Sequence, residues 1–250
     1  MSIRMDDVHK AFGPNRVLRG FSLEVTDGET LAVVGQSGTG KSVALKHVVG
    51  LLKPDKGSVW VDEQKLGDLD LEGLYRIRRK VGYVFQFAAL FDSLTVAENV
   101  GMGLKRMKGW GKDDIRDRVR ECLELVELTG MEDHYPAELS GGQKKRAGLA
   151  RAIATQPDYL LYDEPTTGLD PVTTTVIDRL IIRTREELNV TAVVITHDMD
   201  SAYRVADRIG MLHEGVIRFM GTPEEIQACE DPVVRGFIEG KPELLQEEAV

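Results

Sequence analysis

Leu31-Ala32-Val33-Val34-Gly35-Gln36-Ser37-Gly38-Thr39-Gly40-Lys41-Ser42 runs from four consecutive apolar residues into a glycine-rich loop. The apolar run reads as a strand buried on both faces. The residues that follow, Ser42-Val43-Ala44-Leu45-Lys46-His47-Val48-Val49, read as a helix closed by Gly50. A loop of the form G-x-x-x-x-G-K-S between a strand and a helix is a Walker A loop. Across Gly35, Gln36, Ser37, Gly38, Thr39 and Gly40 its glycines let successive backbone N–H groups curl around a β-phosphate, and the helix adds its positive amino end. Lys41 is expected to reach the β- and γ-phosphates and Ser42 to hold Mg²⁺, so this stretch calls for ATP and Mg²⁺.

Upstream of the loop, residues 3–8 and 17–25 alternate like strands, with a break at Gly20. The turns Gly13-Pro14-Asn15 and Thr26-Asp27-Gly28 separate them. Downstream, residues 59–61 and 80–85 read as short strands. Residues 93–130 turn helical, with an apolar stripe of Val119, Cys122, Leu123, Val126 and Leu128 and a glycine-rich loop over residues 101–111. A helical lobe arriving between two core strands looks like an insertion. Core periodicity resumes after Pro136: Ser140 stands where an N-cap should, a helix runs through Ala154, and Tyr159-Leu160-Leu161-Tyr162 is a buried strand ending at Asp163. A helix over residues 172–188, a strand over 192–195, a helix over 198–206 and a hairpin around His213-Glu214-Gly215 complete a pattern of alternating strands and helices. That pattern points to a mostly parallel sheet.

Composition is that of a globular chain, with 42% hydrophobic and 29% charged residues. The net charge of −9 excludes a generic nucleic-acid binder, which would carry a basic stripe. Two basic clusters stand out locally, Arg76-Ile77-Arg78-Arg79-Lys80 and Lys144-Lys145-Arg146. The first reads as a solvated helix face, and the second lies beside a phosphate-site motif. Cys122 and Cys229 are the only cysteines, without metal-ligand spacing, which fits a reducing cytosol. The amino terminus runs straight into alternating residues, and the longest apolar runs fall far below the ~20 residues that cross a bilayer. Membrane attachment is therefore expected to go through a partner.

Asp163 ends an apolar strand, and Glu164 follows it. These are the positions from which one carboxylate supports a Mg²⁺ shell and the next polarises an attacking water. Together with Leu139-Ser140-Gly141-Gly142-Gln143, these strings make the chain resemble the nucleotide-binding subunit of ATP-binding-cassette (ABC) transporters over nearly its whole length. The resemblance implies an α/β P-loop NTPase of ABC type, with a RecA-like core, an N-terminal antiparallel β-subdomain and an inserted α-helical subdomain. The corresponding boundaries are residues 1–86 and 155–221 for the core, 87–154 for the helical subdomain and 222–250 for an acidic, amphipathic extension. It also implies a head-to-tail dimer in which Ser140, Gly141, Gly142 and Gln143 of one copy close over nucleotide held by the other. Gln86 resembles the Q-loop glutamine that approaches Mg²⁺ and water, and His197 the switch histidine that contacts the γ-phosphate and orders Glu164. Asp170 resembles the acid at the dimer seam, although Thr167-Gly168 stands where many relatives have Ser-Ala. Phe12 resembles the aromatic that stacks on adenine, with Val17 nearby.

Transport is the expected use of the motor. After Gln86 comes Phe87-Ala88-Ala89-Leu90-Phe91, whose alanines flanked by Phe and Leu are expected to make a shallow apolar hollow for a short helix of an integral membrane permease. This string, Gly168-Leu169-Asp170-Pro171 and the tail over residues 231–240 are similar to those of Mla-type ATPases, which move phospholipids with an MCE-domain protein. That similarity implies a place on the cytoplasmic face of the bacterial inner membrane. Val233, Val234, Phe237 and Ile238 form one apolar helix face in the tail, which is expected to dock on the partner ATPase or on a small accessory subunit. The alternatives are an ABC transporter for a different solute and a non-transport ABC ATPase. They differ in the partner each would keep: another permease or a soluble protein.

Overall fold

The computed structural model describes residues 2–245. In chain order the elements are β1 (Ile3–Phe12), β2 (Asn15–Val25), β3 (Thr30–Val34), α1 (Lys41–Val48), β4 (Lys56–Val61), β5 (Gln64–Lys65), α2 (Leu71–Lys80), β6 (Val81–Val84), α3 (Val96–Gly101) and α4 (Lys112–Leu125). They continue with α5 (Gly141–Ala154), β7 (Tyr159–Asp163), α6 (Pro171–Leu188), β8 (Thr191–Thr196), α7 (Met199–Val205), β9 (Arg208–His213), β10 (Val216–Gly221), α8 (Pro223–Gln227) and α9 (Pro232–Glu239). The chain divides into two compact units. One takes in the chain up to Ile77 and again from Thr191; the other is Arg78–Val190.

The first unit holds two sheets. β1 pairs antiparallel with both β2 and β4, and β4 with β5. This is the expected antiparallel β-subdomain, and its alternation buries Leu18, Phe21, Leu23 and Val25 along β2. β1 runs four residues past the alternating stretch, and register shifts after Met5, Val8 and Lys10 carry its pairing through Phe12. In the second sheet β3 lies between parallel neighbours β8 and β9, and β10 pairs antiparallel with β9. All five residues of β3 and all six of β8 are buried, as continuous apolar runs in a sheet covered on both faces must be.

The tail corrects one expectation. α9 forms as its pattern demands: Asp231 caps it by accepting from the Val233 and Val234 amides, Pro232 opens it, and Gly240 closes it in the left-handed conformation. Its apolar face is not free for a partner. Val233 and Val234 are buried against Ala32, Val34, Ile209 and Met211, and Phe237 and Ile238 pack on the same cluster. The stripe is therefore part of the unit's own core. We expect Val234→Ala to lower stability by about 2 kcal/mol, the loss of two buried methyl groups plus the space they leave. A urea midpoint shifted at constant slope checks it; an unshifted midpoint would mean that α9 detaches without cost.

In the second unit β6 and β7 pair in parallel, Tyr83 opposite Leu161 and Val84 opposite Tyr162. α5 packs close against β6 because Gly82 has no side chain: a Cβ there would stand 2.6 Å from the Ala152 carbonyl oxygen. α5 begins as expected, with Ser140 accepting from the Gln143 amide and the Gln143 side chain accepting from the Ser140 amide at 2.8 Å. Among the described residues no helix is long and apolar enough to cross a membrane.

Candidate functional site

The first unit carries the loop at the carboxyl ends of its parallel strands. Val34 of β3 lies opposite Thr196 of β8, so Gly35 and His197, the residues that follow, leave the sheet at the same edge. That edge is where open α/β sheets take their ligands. Gly35, Gly38 and Gly40 all have positive φ, at 151°, 81° and 106°. Two of them are also required sterically. A Cβ on Gly35 would fall on the Leu212 carbonyl oxygen, and one on Gly40 would meet the Val17 methyl at 2.6 Å. Val17 thus helps shape the loop. Lys41 opens α1 and is almost wholly buried; its ammonium donates to the carbonyl oxygens of Gly35 at 2.8 Å and Gln36 at 2.9 Å. The Thr39 hydroxyl also donates to Gln36. Phe12, at the end of β1, leaves 48% of its surface exposed, with the Lys10 ammonium 5.7 Å from its ring centre.

The second unit carries the carboxylates. Asp163 ends β7, nearly buried, and accepts the Tyr83 hydroxyl at 2.9 Å. Burial and this carboxylate together push the Tyr83 phenol far above its ordinary range, so it stays a donor. Glu164 has φ 52°, a left-handed conformation that costs a residue with a Cβ about 1–2 kcal/mol. Its Oε2 accepts the Thr167 hydroxyl at 2.9 Å, which aims the carboxylate. Gln86 follows β6 by two residues, half-buried. Asp170 is the N-cap of α6, accepting from the amides of Val172 and Thr173 and from the Thr173 hydroxyl, which holds its carboxyl below the ordinary range. Gly142 is required where it stands, since a Cβ would meet the Thr173 methyl at 2.6 Å.

Three stretches make contacts that the sequence does not announce. The side-chain oxygen of Gln143 accepts the Ser140 amide and so takes part in capping α5. In the basic cluster after it, the Lys145 ammonium turns inward to the carbonyl oxygens of Gln86 (2.5 Å) and Glu164 (3.3 Å), and Arg146 reaches that of Glu127 (2.7 Å). Of the two alanines, only Ala88 is buried, and Ala89 is exposed. Ala88 is buried on α5, while Phe87 stands out with 83% of its surface exposed and Phe91 with 54%.

Several residues escaped sequence reading. In the sequence Tyr83 reads only as a member of a strand, and Thr167 only as a departure from many relatives. Asn99, fully buried, accepts the Phe91 amide and donates to the carbonyls of Phe91, Leu94 and Thr95, so it braces the turn after the exposed phenylalanines. The signal available was a polar residue on the inner face of a short helix behind a Thr-x-x-Glu capping box.

As for a metal, among the described residues no cluster of three or more His, Cys, Asp or Glu is placed to hold one. The candidate donors, the Ser42 hydroxyl, the Asp163 carboxylate and the Gln86 amide, are hard oxygen groups. Oxygen donors of this kind suit Mg²⁺, which keeps several waters and takes further ligands from substrate phosphates.

Comparison with known proteins agrees with this chemistry. The family model described as ABC transporter matches residues 18–167. The Probable ribonucleotide transport ATP-binding protein mkl of Mycobacterium leprae (strain TN) is 38% identical over 241 residues, which cover 96% of this chain and 70% of that protein. The Methionine import ATP-binding protein MetN of Brucella abortus (strain 2308) is 41% identical over 238 residues, covering 95% of this chain and 64% of the relative. Among solved structures, the ATP-binding cassette MJ0796 in a dimeric post-hydrolysis state bound to ADP and Pi superposes with a TM-score of 0.81 at 36% identity, covering 88% of this chain and 98% of that one. The structure of cbiO1 from Clostridium perfringens, part of the ABC transporter complex cbiONQ, gives 0.84 at 29% identity, covering 97% and 96%. With the RecA-like core, the antiparallel β-subdomain and the helical insertion all in place, this chain belongs to the ABC transporter family and is an ABC-type ATPase.

Proposed function

We propose that the chain is the Mg-ATP-hydrolysing subunit of a membrane transporter and works as a head-to-tail pair. The observation that carries this reading is Glu164: a nearly buried carboxylate, one residue past a strand-end aspartate, aimed by Thr167 and held in a left-handed backbone. Strain of this kind is kept where geometry matters. The P-loop amides and Lys41 bind the phosphates. Ser42 and Asp163, with Gln86, hold Mg²⁺, which when bound neutralises phosphate charge and orients the γ-phosphoryl group. Glu164 accepts the proton of the attacking water, His197 contacts the γ-phosphate, and Phe12 with Val17 receives the base. Ser140, Gly141 and Gly142 supply donors from the second copy, and Asp170 lies at the seam. The dimeric state of MJ0796 bound to ADP and Pi supports the pairing.

The permease docks on the segment of residues 87–91, where Phe87 and Phe91 project. It holds the ATPase on the cytoplasmic face of the inner membrane. For the cargo, the relatives named for ribonucleotide transport and methionine import favour a solute other than phospholipid. A second reading, phospholipid transport with an MCE-domain protein, rests on the likeness of residues 87–91 to Mla-type ATPases. The Glu164→Gln form, purified from native membranes in mild detergent with ATP and analysed by protein and lipid mass spectrometry, decides between them. A polytopic permease without an MCE-domain protein is the expected result. An MCE-domain protein with phospholipid installs the second reading, and a purely soluble partner removes transport.

A further inference from the structure

Six non-glycine residues of the unit Arg78–Val190 have left-handed backbones: Ala88, Ala89, Glu127, Gln156, Glu164 and Asn189. Asn189 is the helix C-cap that closes α6, a position where Asn is at home. Of the other five, four offer their carbonyl oxygens to cations on the single helix α5. Arg151 donates to Ala88 at 2.6 Å and to Ala89 at 2.5 Å, Arg146 to Glu127 at 2.7 Å, and Lys145 to Glu164 at 3.3 Å. Lys145 also donates to Gln86 at 2.5 Å, so one buried ammonium joins the carbonyl of the Q-loop residue to that of the water-polarising one.

From this arrangement we infer that α5 links the segment of residues 86–89 to Glu164, with Arg151 and Lys145 as positioning residues for hydrolysis. The inference rests on the reading of Glu164 and of the docking segment given under Proposed function. Left-handed residues with a Cβ persist only where the surroundings over-determine them. Here the surroundings are two cations six residues apart, about 9 Å along one rigid helix. Between them Gly148 leaves no slack, since a Cβ on it would stand 3.1 Å from that of Ala88. A shift of the segment that bears Phe87 therefore moves α5, and with it the ammonium that holds the Glu164 carbonyl. Burial lowers the pKa of both cations, while the Glu164 charge favours the protonated form of Lys145.

The test uses the full chain with Arg151→Met, Lys145→Met, the double variant and the conservative Arg151→Lys and Lys145→Arg. Hydrogen exchange reads the amides of Thr166 and Thr167 beside Glu164, those of Ala88 and Ala89, and those of α6 as a control. Arg151→Met removes the hydrogen bonds to the carbonyls of residues 88 and 89, yet it is expected to speed exchange at Thr166 and Thr167 while α6 keeps its protection. Each Met variant is expected to lower kcat about tenfold at a KM for ATP unchanged within twofold, and the double variant to lose less than the product of the two. Lys145→Arg should restore most of the rate. Faster exchange confined to residues 86–89, or losses that multiply, would overturn the link. If Arg151→Met loses protection everywhere, Arg151→Lys, which keeps one donor, gives the same comparison in a folded chain. A wild-type chain without hydrolysis removes the reading of Glu164, and the exchange comparison still decides whether α5 links the two segments.

Discussion

Glu164→Gln is expected to lower ATP turnover by roughly 10²–10⁴-fold, the usual span for losing a positioned general base. ATP binding should persist. The substitution is close to isosteric, and the amide oxygen of Gln can still accept the Thr167 hydroxyl that now reaches Oε2. The left-handed backbone and its carbonyl bond to Lys145 are untouched. What disappears is the capacity to take a proton from water. Single-turnover hydrolysis with radiolabelled ATP, beside equilibrium binding of the same nucleotide, separates the two effects. A variant hydrolysing within threefold of wild type would place the base elsewhere, whereas one that also loses binding would mean that the carboxylate shapes the site.

How much of this was legible depends on whether the signal is local. Four apolar residues running into glycines can be read as a doubly covered strand, and β3 is buried throughout. A serine three residues before a glutamine can be read as a cap, and Ser140 caps α5. Asp163 stands where the apolar run ends. These features are set by neighbours in sequence. The fates of Lys145 and Arg151 are set by carbonyls some sixty residues away, or nineteen for Glu164. A lysine in a charged run looks solvated until the fold brings those oxygens to it. Ala88 and Ala89 were equally opaque, because alanine has no preference for left-handed backbone and nothing in Phe-Ala-Ala-Leu-Phe announces it. The tail shows the limit of periodicity most directly. The spacing of Val233, Val234, Phe237 and Ile238 revealed a face, but not that Val34 and Met211 of the same unit cover it.

The same distinction between charge and backbone shape governs the second large effect, that of Lys41→Met. The positive φ of Gly35, Gly38 and Gly40 and the Thr39 hydroxyl bond to Gln36 remain to hold the loop when the lysine's own bonds to the Gly35 and Gln36 carbonyls are lost. Methionine fills a similar volume at this buried position, so the unit is expected to fold. The loss falls on the ammonium, which here donates to the Gly35 and Gln36 carbonyls and must exchange those bonds for phosphate oxygens when nucleotide binds. A charge-assisted hydrogen bond contributes about 1.5–3 kcal/mol, which corresponds to roughly 10–100-fold in Kd for ATP. Hydrolysis should fall to background, since the same charge stabilises the transferring phosphoryl group. Calorimetric titration with ATP and with AMP distinguishes charge from shape: AMP lacks the β- and γ-phosphates, so its affinity should be the same in both proteins. Equal losses for both nucleotides would show that the loop has collapsed, and ATP affinity within threefold of wild type would show that Lys41 keeps its carbonyl bonds and never turns to the phosphates.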